Sequence, residues 1–598
     1  MNAFDDIRED GFSALDAALI EAFRSIWPGS DEAALHLAAL ASWATARGHS
    51  CFTPDLLDDW SSPGESTARE RRILAWHAQL RAGDWPEAPF IGPADSQAPI
   101  VVEGRRAWLR RYWRYEREIE AALRARALAV AGLPPAVDVA AALDALLPSA
   151  DHGEIDWQRV AAATALRAPL TVICGGPGTG KTFTALRVLA LVRHFADAPL
   201  RMALAAPTGK AAQRLSESVQ LGLRSLPLSD AQRADLPSEA MTLHRLLGFH
   251  AQSVQPMRDS ARPLDLDVLV VDECSMVDLP LMAKLLRALK PECRLVLLGD
   301  PDQLPAVENG AVLAALAACN TDNRFADETA RWIGQASGER VAAGDDRGAL
   351  AERIVRLERP RRFGGASGIA RLVRAIRTGD AGAVFDILGD SADIVWSEAP
   401  WRIDASAVRR QLHDSYRVLA EAETPAAALE ALGRYRILCA LREGPQGVSG
   451  LNRTVANALH GAVGEREFVH GRPILVTSNH HALGLYNGDV GVFFRERPES
   501  PLRAWFARRD GDVHALLPAQ LPAHDSAYAM TVHKAQGSEF DTVELVLPEQ
   551  PHPLLTREWL YTAASRARSQ LRIHASREVI GAALARRTRR INGLDLLD

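Results

Sequence analysis

The sequence predicts an α/β protein with two parallel sheets covered by helices, a helical region ahead of them and a small β insertion in the second half. Three observations predict it. From about residue 155 the strand-length apolar runs "LTVIC", "RMALAA", "DVLVVD" and "RLVLLG" alternate with helical stretches, and each run stops at a polar or Gly/Pro-bearing loop. Runs of that kind read as parallel strands buried on both faces. The first of them opens into "GGPGTGKT", a glycine loop that needs a strand before it and a helix after it. After the polar stretch "NTDNRFADETARWIGQASGERVAAGDDRG" a second series begins near residue 355, with "RYRILCAL" and "DTVELVLP" as its core strands. In such sheets the ligand site lies at the carboxyl ends of the strands.

Residues 1–150 read as helices, because "ALDAALIEAFRSIW", "DEAALHLAALASWATARG" and "RRYWRYEREIEAALRARALAV" place apolar residues at helical spacing. Pro-rich breaks such as "WPEAPFIGPADSQAP" separate them. Trp108, Tyr112, Trp113 and Tyr115, interleaved with arginines, could stack bases. Aromatics at that spacing more often face a core or another subunit, and the packing reading is preferred. Residues 151–354 form the first sheet domain and 355–598 the second. Inside the latter, residues 466–525 show hairpin-like alternation with "YNGD" as a turn signal, which marks an inserted β barrel.

A chain of 598 residues is too long for one core, so several domains are required. Its 47% hydrophobic and 24% charged residues are those of an ordinary globular protein. The formal net charge of -6 excludes a globally basic surface, so any nucleic-acid contact must come from a local groove. Six cysteines at 51, 174, 274, 293, 319 and 439 form no C-x-x-C pair, which argues against a zinc site or disulfide framework and suits a reducing cytosol. The acidic start "MNAFDDIREDGF" has no apolar signal region, and no uninterrupted apolar run is long enough to span a membrane. A cytoplasmic protein with no membrane partner is expected. Of 69 Lys plus Arg only five are lysine (181, 210, 284, 290 and 534), leaving 64 arginines. A lysine kept in such a chain can mark a need for a compact ammonium; Lys284 and Lys290, on a helix face, read as chance.

The glycine loop supplies the first chemistry. Gly175-x-x-x-x-Gly180-Lys181-Thr182 lets backbone N–H groups surround phosphates at a helix N-terminus, where the helix dipole favours anions. Lys181 can then reach the β and γ phosphates of ATP and Thr182 can ligate Mg²⁺. "LDVLVVDECSMVD" delivers Asp272 and Glu273 to a strand end, Asp272 fitting Mg²⁺ through water and Glu273 the base that polarises the attacking water. The next strand ends in "LLGDPDQLPAVENG", whose Asp300 and Gln303 face the γ-phosphate edge, where an amide can orient water.

"GGPGTGKT", "APTGKAAQRL", "TLHRLLG", "VVDECSM", "GDPDQLPAVENG", "TVHKAQGSEFDTV" and "LYTAASRAR" stand in the order of superfamily 1 helicase motifs. Together with "LCALREGPQGVSGLN" and "ALGLYNGDVG", the chain resembles the RecD family, the α subunits of exodeoxyribonuclease V, over about residues 155–575 and more weakly through "RRYWRYE". That resemblance implies an α/β fold of two RecA-like P-loop lobes with parallel sheets, a helical N-terminal partner-binding domain and an inserted SH3-like β barrel. It implies ATP and Mg²⁺ as cofactors, single-stranded and duplex-end DNA as substrates, 5′→3′ translocation, and a heterotrimer with RecB and RecC serving double-strand-break repair and recombination.

Residue by residue, the resemblance places Gln158 as the adenine reader. It puts the nucleotide against Gly175, Gly176, Pro177, Gly178, Thr179, Gly180, Lys181, Thr182 and Phe183, with Gly537 and Glu539 on the second lobe. Catalysis falls to Lys181, Asp272, Glu273, Gln303, Arg362 and Arg566, and the metal to Thr182 and Asp272. Arg361 is the alternative to Arg362, because Pro360-Arg361 stand where the family has a small residue and an aromatic. Pro207, Thr208, Lys210, Thr242, His244, Thr531 and His533 match motifs that hold a single strand. Cys274 and Ser565 replace the family's usual Ala and Thr. Two other readings stand beside this one: a stand-alone RecD-like helicase, and a P-loop ATPase that does not act on DNA.

Overall fold

The structure, a computed structural model, describes residues 12–59, 68–129, 132–149, 153–250, 253, 255–344, 348–359, 367–404, 406–461, 468–508 and 512–596. In the N-terminal region Ser13 and Asp16 form a reciprocal cap that starts helix Ala14–Ile26, and Asp31 caps helix Glu32–Ala46. Leu37, Leu40 and Trp43 of the latter share a core with Phe23 and Phe90. This region also holds a three-stranded sheet that helical periodicity did not anticipate: β1 (Ile91–Gly92), β2 (Ile100–Glu103) and β3 (Arg106–Leu109). β2 and β3 pair antiparallel across Gly104, whose φ of +54° suits a residue without Cβ. The strands are two to four residues long, and β3 runs directly into helix Arg110–Leu128, which hid it inside a helical pattern.

The first large sheet comprises β4 (Leu170–Gly175), β5 (Met202–Ala206), β6 (Ala240–Thr242), β7 (Val268–Val271), β8 (Arg294–Gly299) and β9 (Ile354–Leu357). All pairs are parallel, in the order β6-β5-β7-β8-β4-β9. Alternation along each strand divides the core in two. Val172, Ala205, Leu269 and Leu297 face helices Arg110–Leu128 and Leu279–Ala288, while Ile173, Leu204, Val270 and Val296 face Trp157–Arg167 and Lys181–His194. The N-terminal helix Arg110–Leu128 is thereby part of the sheet's cover, through Ile119, Leu123 and Ala127. The boundary expected between residues 354 and 355 falls inside β9, which pairs with β4 and carries the first sheet to Leu357.

The second large sheet is also all parallel: β10 (Ile394–Ser397), β11 (Tyr435–Cys439), β17 (Ala529–Thr531), β18 (Phe540–Val546) and β19 (Ala567–His574), ordered β10-β19-β18-β11-β17. Between β11 and β17 the chain makes an antiparallel five-stranded sheet of β12 (Pro473–Val476), β13 (Val490–Phe494), β14 (Arg503–Ala507), β15 (Val513–Leu516) and β16 (His524–Ser526). Its order, β15-β14-β13-β12-β16, leaves β15 and β16 as edges, around a separate core of Ile474, Phe493, Phe506 and Leu516. The "YNGD" turn joins β12 to β13, with Gly488 at φ +100°.

After helix Arg577–Ala585 the chain does something its sequence did not signal. Residues 586–596 run as an irregular strap back to the N-terminal region. Ile591 N–H donates to His49 Nδ1 at 2.9 Å and Gly593 N–H to Glu116 Oε1 at 2.8 Å. Leu596, 3% exposed, ends in the core between Arg110–Leu128 and the first sheet. Trp108 and Tyr112 are buried here, the indole donating to Glu116 at 2.8 Å and the phenol to Asn309 at 3.1 Å, so these aromatics are packing groups. All six cysteines are buried free thiols. Among the described residues no helix is long and apolar enough to cross a membrane.

Candidate active site

β4 ends at Gly175, and the loop after it turns on Gly178 at φ +73° and Gly180 at φ +85°, the latter being the N-cap of helix Lys181–His194. A Cβ on Gly180 would lie 2.3 Å from Gln158 Nε2, so only glycine fits. Gln158 donates from that nitrogen to the Thr179 carbonyl at 2.9 Å, and its Oε1 is buried without a partner among the described residues. Lys181 folds its ammonium onto the loop itself, donating to the carbonyls of Gly175 at 2.7 Å and Gly176 at 3.2 Å. The Thr179 hydroxyl also donates to Gly176, at 2.9 Å. Beside Pro177 the loop borders a small recess lined from the second lobe by Arg374 and Tyr561. Phe183, 38% exposed, has the Arg187 guanidinium 3.1 Å from its ring centroid.

Asp272 and Glu273 follow β7, beside the loop. Thr182 Oγ1 donates to Asp272 Oδ2 at 3.3 Å, and Glu273 N–H donates to Oδ1 at 2.8 Å. Glu273 has φ +53°, a left-handed conformation that side-chain-bearing residues avoid. Burial in the cleft pushes both carboxyls up. The Asp272 charge raises Glu273 further, while Lys181 draws both back. Gln303, past the end of β8, donates from Nε2 to Asp300 Oδ2 at 3.0 Å.

The second lobe faces this edge. Arg566, 3% exposed, donates to the carbonyls of Thr562 and Ser538, both at 3.1 Å, and to Ser565 Oγ at 3.0 Å. Its positive charge favours the ionised form of Glu273, against the larger effects of burial and Asp272. Gly537, at φ +68°, stands over Ala211 of the first lobe, where a Cβ would approach to 3.7 Å. Glu539 accepts from Arg568 at 3.1 Å and, through its carbonyl, from Arg214 at 3.5 Å. Arg362 and Arg361 lie outside the described residues.

Sequence reasoning missed how directly the lobes bind each other. Tyr561 donates to Asp300 Oδ2 at 2.9 Å, the Thr562 hydroxyl accepts the Leu304 N–H at 2.9 Å, and Gln536 donates to the Leu304 carbonyl at 3.0 Å. The sequence shows only that two hydroxyl residues, Tyr561 and Thr562, interrupt the otherwise apolar run "WLYTAA", and not which partners they meet.

The strand-binding candidates gather on one rim. Pro207 and Thr208 follow β5, with Thr208 capping helix Gly209–Ser225, and Thr242 ends β6 and caps Leu243–Leu247. Ala206 and Thr242 are register partners, so both caps lie at the same sheet edge. The His244 ring is 5.0 Å from Phe249, and burial lowers its pKa. Thr531 ends β17 and accepts the Lys534 N–H at 3.3 Å; burial lowers His533 as well, assisted by Arg590. Lys210 is lowered to about 7, by burial first and then by Arg214 and Arg436. The "YNGD" turn touches both sides: Lys534 Nζ donates to Asn487 at 2.7 Å, and Tyr486 lies beside Gly209. Next to it a cavity of about 790 Å³ is lined by Arg442, Asn452, Arg453, Thr531 and Lys534.

A phosphate loop, a carboxylate pair and a glutamine at the carboxyl edge of one parallel sheet, opposed by a buried arginine of a second, define a two-lobed P-loop nucleotide hydrolase of helicase type. Residues 158–309 match the family described as AAA domain, 526–574 the UvrD-like helicase C-terminal domain, and 8–107 the N-terminal domain of RecBCD enzyme subunit RecD. RecBCD enzyme subunit RecD of Haemophilus influenzae is 34% identical, covering 94% of this chain and 93% of that protein. The subunit of the same name from Mycolicibacterium smegmatis is 37% identical over 89% of this chain and 90% of its own length. The ATP-dependent RecD2 DNA helicase of Deinococcus radiodurans is 32% identical over 67% of this chain but only 46% of its own length. The chain belongs to the RecD family, and it is an enzyme of the ATP-dependent helicase class.

Proposed function

We propose that the chain is the 5′→3′ DNA-translocating ATPase and helicase subunit of a RecBCD-type exodeoxyribonuclease V. In this reading it works in the cytoplasm with RecB and RecC in repair of double-strand breaks and in recombination. The observation that carries the motor reading is the set of hydrogen bonds from Tyr561, Thr562 and Gln536 to Asp300 and Leu304, because it ties the loop beside the reacting phosphate to the lobe that must move. Coverage favours the heterotrimer subunit over the stand-alone helicase: the chain spans 93% of the Haemophilus subunit and under half of RecD2.

ATP would lie between the lobes. Lys181 exchanges its two loop carbonyls for β- and γ-phosphate oxygens, and Gln158 offers its unpaired Oε1 to the adenine amino group. The Thr182 hydroxyl and the Asp272 carboxylate, 3.3 Å apart, are hard oxygen donors that suit Mg²⁺, whose charge would neutralise the phosphates. Glu273, whose pKa is raised, takes the proton of the attacking water, and Gln303 orients that water. Arg566 leaves the carbonyls of its own lobe to meet the γ-phosphate, with Arg362 as the second arginine. Gly537 and Glu539 complete the nucleotide's second wall. Pro207, Thr208, Lys210, Thr242 and His244 hold a single strand from one lobe, and Thr531 and His533 from the other. Short hydroxyls and backbone groups at strand ends suit phosphate contacts that position without reading sequence. Alternating grip converts closure into a step.

The test is co-purification with RecB and RecC from the same genome, followed by unwinding of duplexes that carry a 5′ or a 3′ single-stranded tail. With the RecB motor inactivated, the complex should separate the 5′-tailed duplex in an ATP-dependent way. Failure to co-purify would contradict the subunit assignment, and exclusive use of the 3′ tail would reverse the polarity.

A further inference from the structure

We propose that Tyr561, acting from the second lobe through Asp300, sets which face of the Gln303 amide is turned to the reacting phosphate, and so permits hydrolysis only when the lobes are apposed. Tyr561 and Asp300 are positioning residues in this account, which rests on the reading of Gln303 given above.

Asp300 is wholly buried. Its Oδ2 accepts two hydrogen bonds, from the Tyr561 hydroxyl at 2.9 Å and from Gln303 Nε2 at 3.0 Å, and its Oδ1 accepts the Asp302 N–H at 3.1 Å. An ionised carboxylate can only accept, so Gln303 must present its NH₂ group to it and turn its carbonyl away. That carbonyl, Gln303 Oε1, is buried and has no hydrogen-bond partner among the described residues. The same is true of Ser275 Oγ, and both residues line one cavity of about 360 Å³ at the lobe junction. Unpaired buried polar atoms are costly, and an acceptor left in that state beside a cavity suits the O–H of a bound water.

The phenol reports lobe position. Burial, then the charges of Asp300 and Asp302, hold Tyr561 far above its usual pKa, so it remains a neutral donor. Its hydroxyl also lies against the phosphate loop, where a Cβ on Gly176 would come within 2.9 Å of it. Leu304, one residue past Gln303, is gripped at both its N–H and its C=O by Thr562 and Gln536 of the second lobe. Separation of the lobes removes all of these bonds together. Asp300 then loses one of its two side-chain donors and the loop loses its clamp, so neither the carboxylate nor the amide it orients is held in place against the phosphate loop.

The experiment compares Tyr561→Phe, Asp300→Asn and the double variant of the full chain with wild type, by ATP turnover on single-stranded DNA and by equilibrium binding of a non-hydrolysable ATP analogue. Tyr561→Phe deletes one oxygen and should lower kcat roughly tenfold or more while analogue affinity stays within about twofold, the mark of lost positioning. In Asp300→Asn the new amide can donate to Gln303 Oε1 and turn the glutamine over, so the loss should be larger. Adding Tyr561→Phe to it should then change little, because both act through one chain of bonds. Wild-type kcat in Tyr561→Phe, or losses that simply multiply in the double variant, would overturn the relay alone. A wild-type chain with no turnover on single-stranded DNA would overturn the reading of the whole site and the relay with it.

Discussion

Lys181, Thr182, Asp272 and Glu273 were legible because each sits where a local rule puts it: a glycine loop between strand and helix, and acids at the end of an apolar strand. Their geometry sharpens what each should do. Among the described residues Lys181 has no acidic hydrogen-bond partner; its donors rest on the carbonyls that the phosphates would replace. Lys181→Gln should therefore abolish ATP hydrolysis and unwinding together, by at least about 10² in kcat. Glu273→Gln should instead retain bound ATP uncleaved, seen as trapped nucleotide in a single-turnover experiment. Arg566→Ala should bind ATP and lose roughly 10³-fold in turnover, the scale of a removed arginine finger; unchanged turnover would show that the buried guanidinium stays with Thr562 and Ser538. Tyr561 was not legible, since its role depends on a partner 261 residues away in the chain.

At the scale of elements, periodicity found the parallel strands and the covering helices because burial on both faces leaves a strong pattern. It missed β1 to β3, which are two to four residues long and the last of which flows into a helix, and it missed the strap. "RRTRRINGLDLLD" reads as a polar tail; what holds it is a set of partners elsewhere, above all the buried Glu116 and His49. His49 accepts through Nδ1, and its pKa is lowered from 6.5 to about 4 by burial first and then by Arg590, Arg589 and Arg47. The neutral ring is the folded form, so this contribution is complete above pH 6.5 and is lost as pH falls through about 4. Limited proteolysis should release the C-terminal residues progressively over that range, and His49→Gln should flatten the dependence. Gly593→Ala would drive a methyl to 2.3 Å from the Trp108 ring, and should cost about 1–3 kcal/mol, read as a lower thermal midpoint.

For the whole molecule, both lobes and the strap line the cavity beside Gln303, while the inserted sheet lines a second one beside β17. The net charge of -6 leaves DNA binding to local basic surface such as the cavity where Lys534, Arg442 and Arg453 collect, so affinity for single-stranded DNA should fall steeply as salt rises. The "YNGD" turn, which touches Gly209 on one lobe and Lys534 on the other, stands where a bound strand would separate or replace those contacts. The central claim is that nucleotide chemistry and strand grip are one motion of the two lobes. It is tested most directly by the ATP hydrolysis rate of the full chain with and without single-stranded DNA. A rate that rises and saturates with added strand is predicted; the same rate with and without DNA would contradict it.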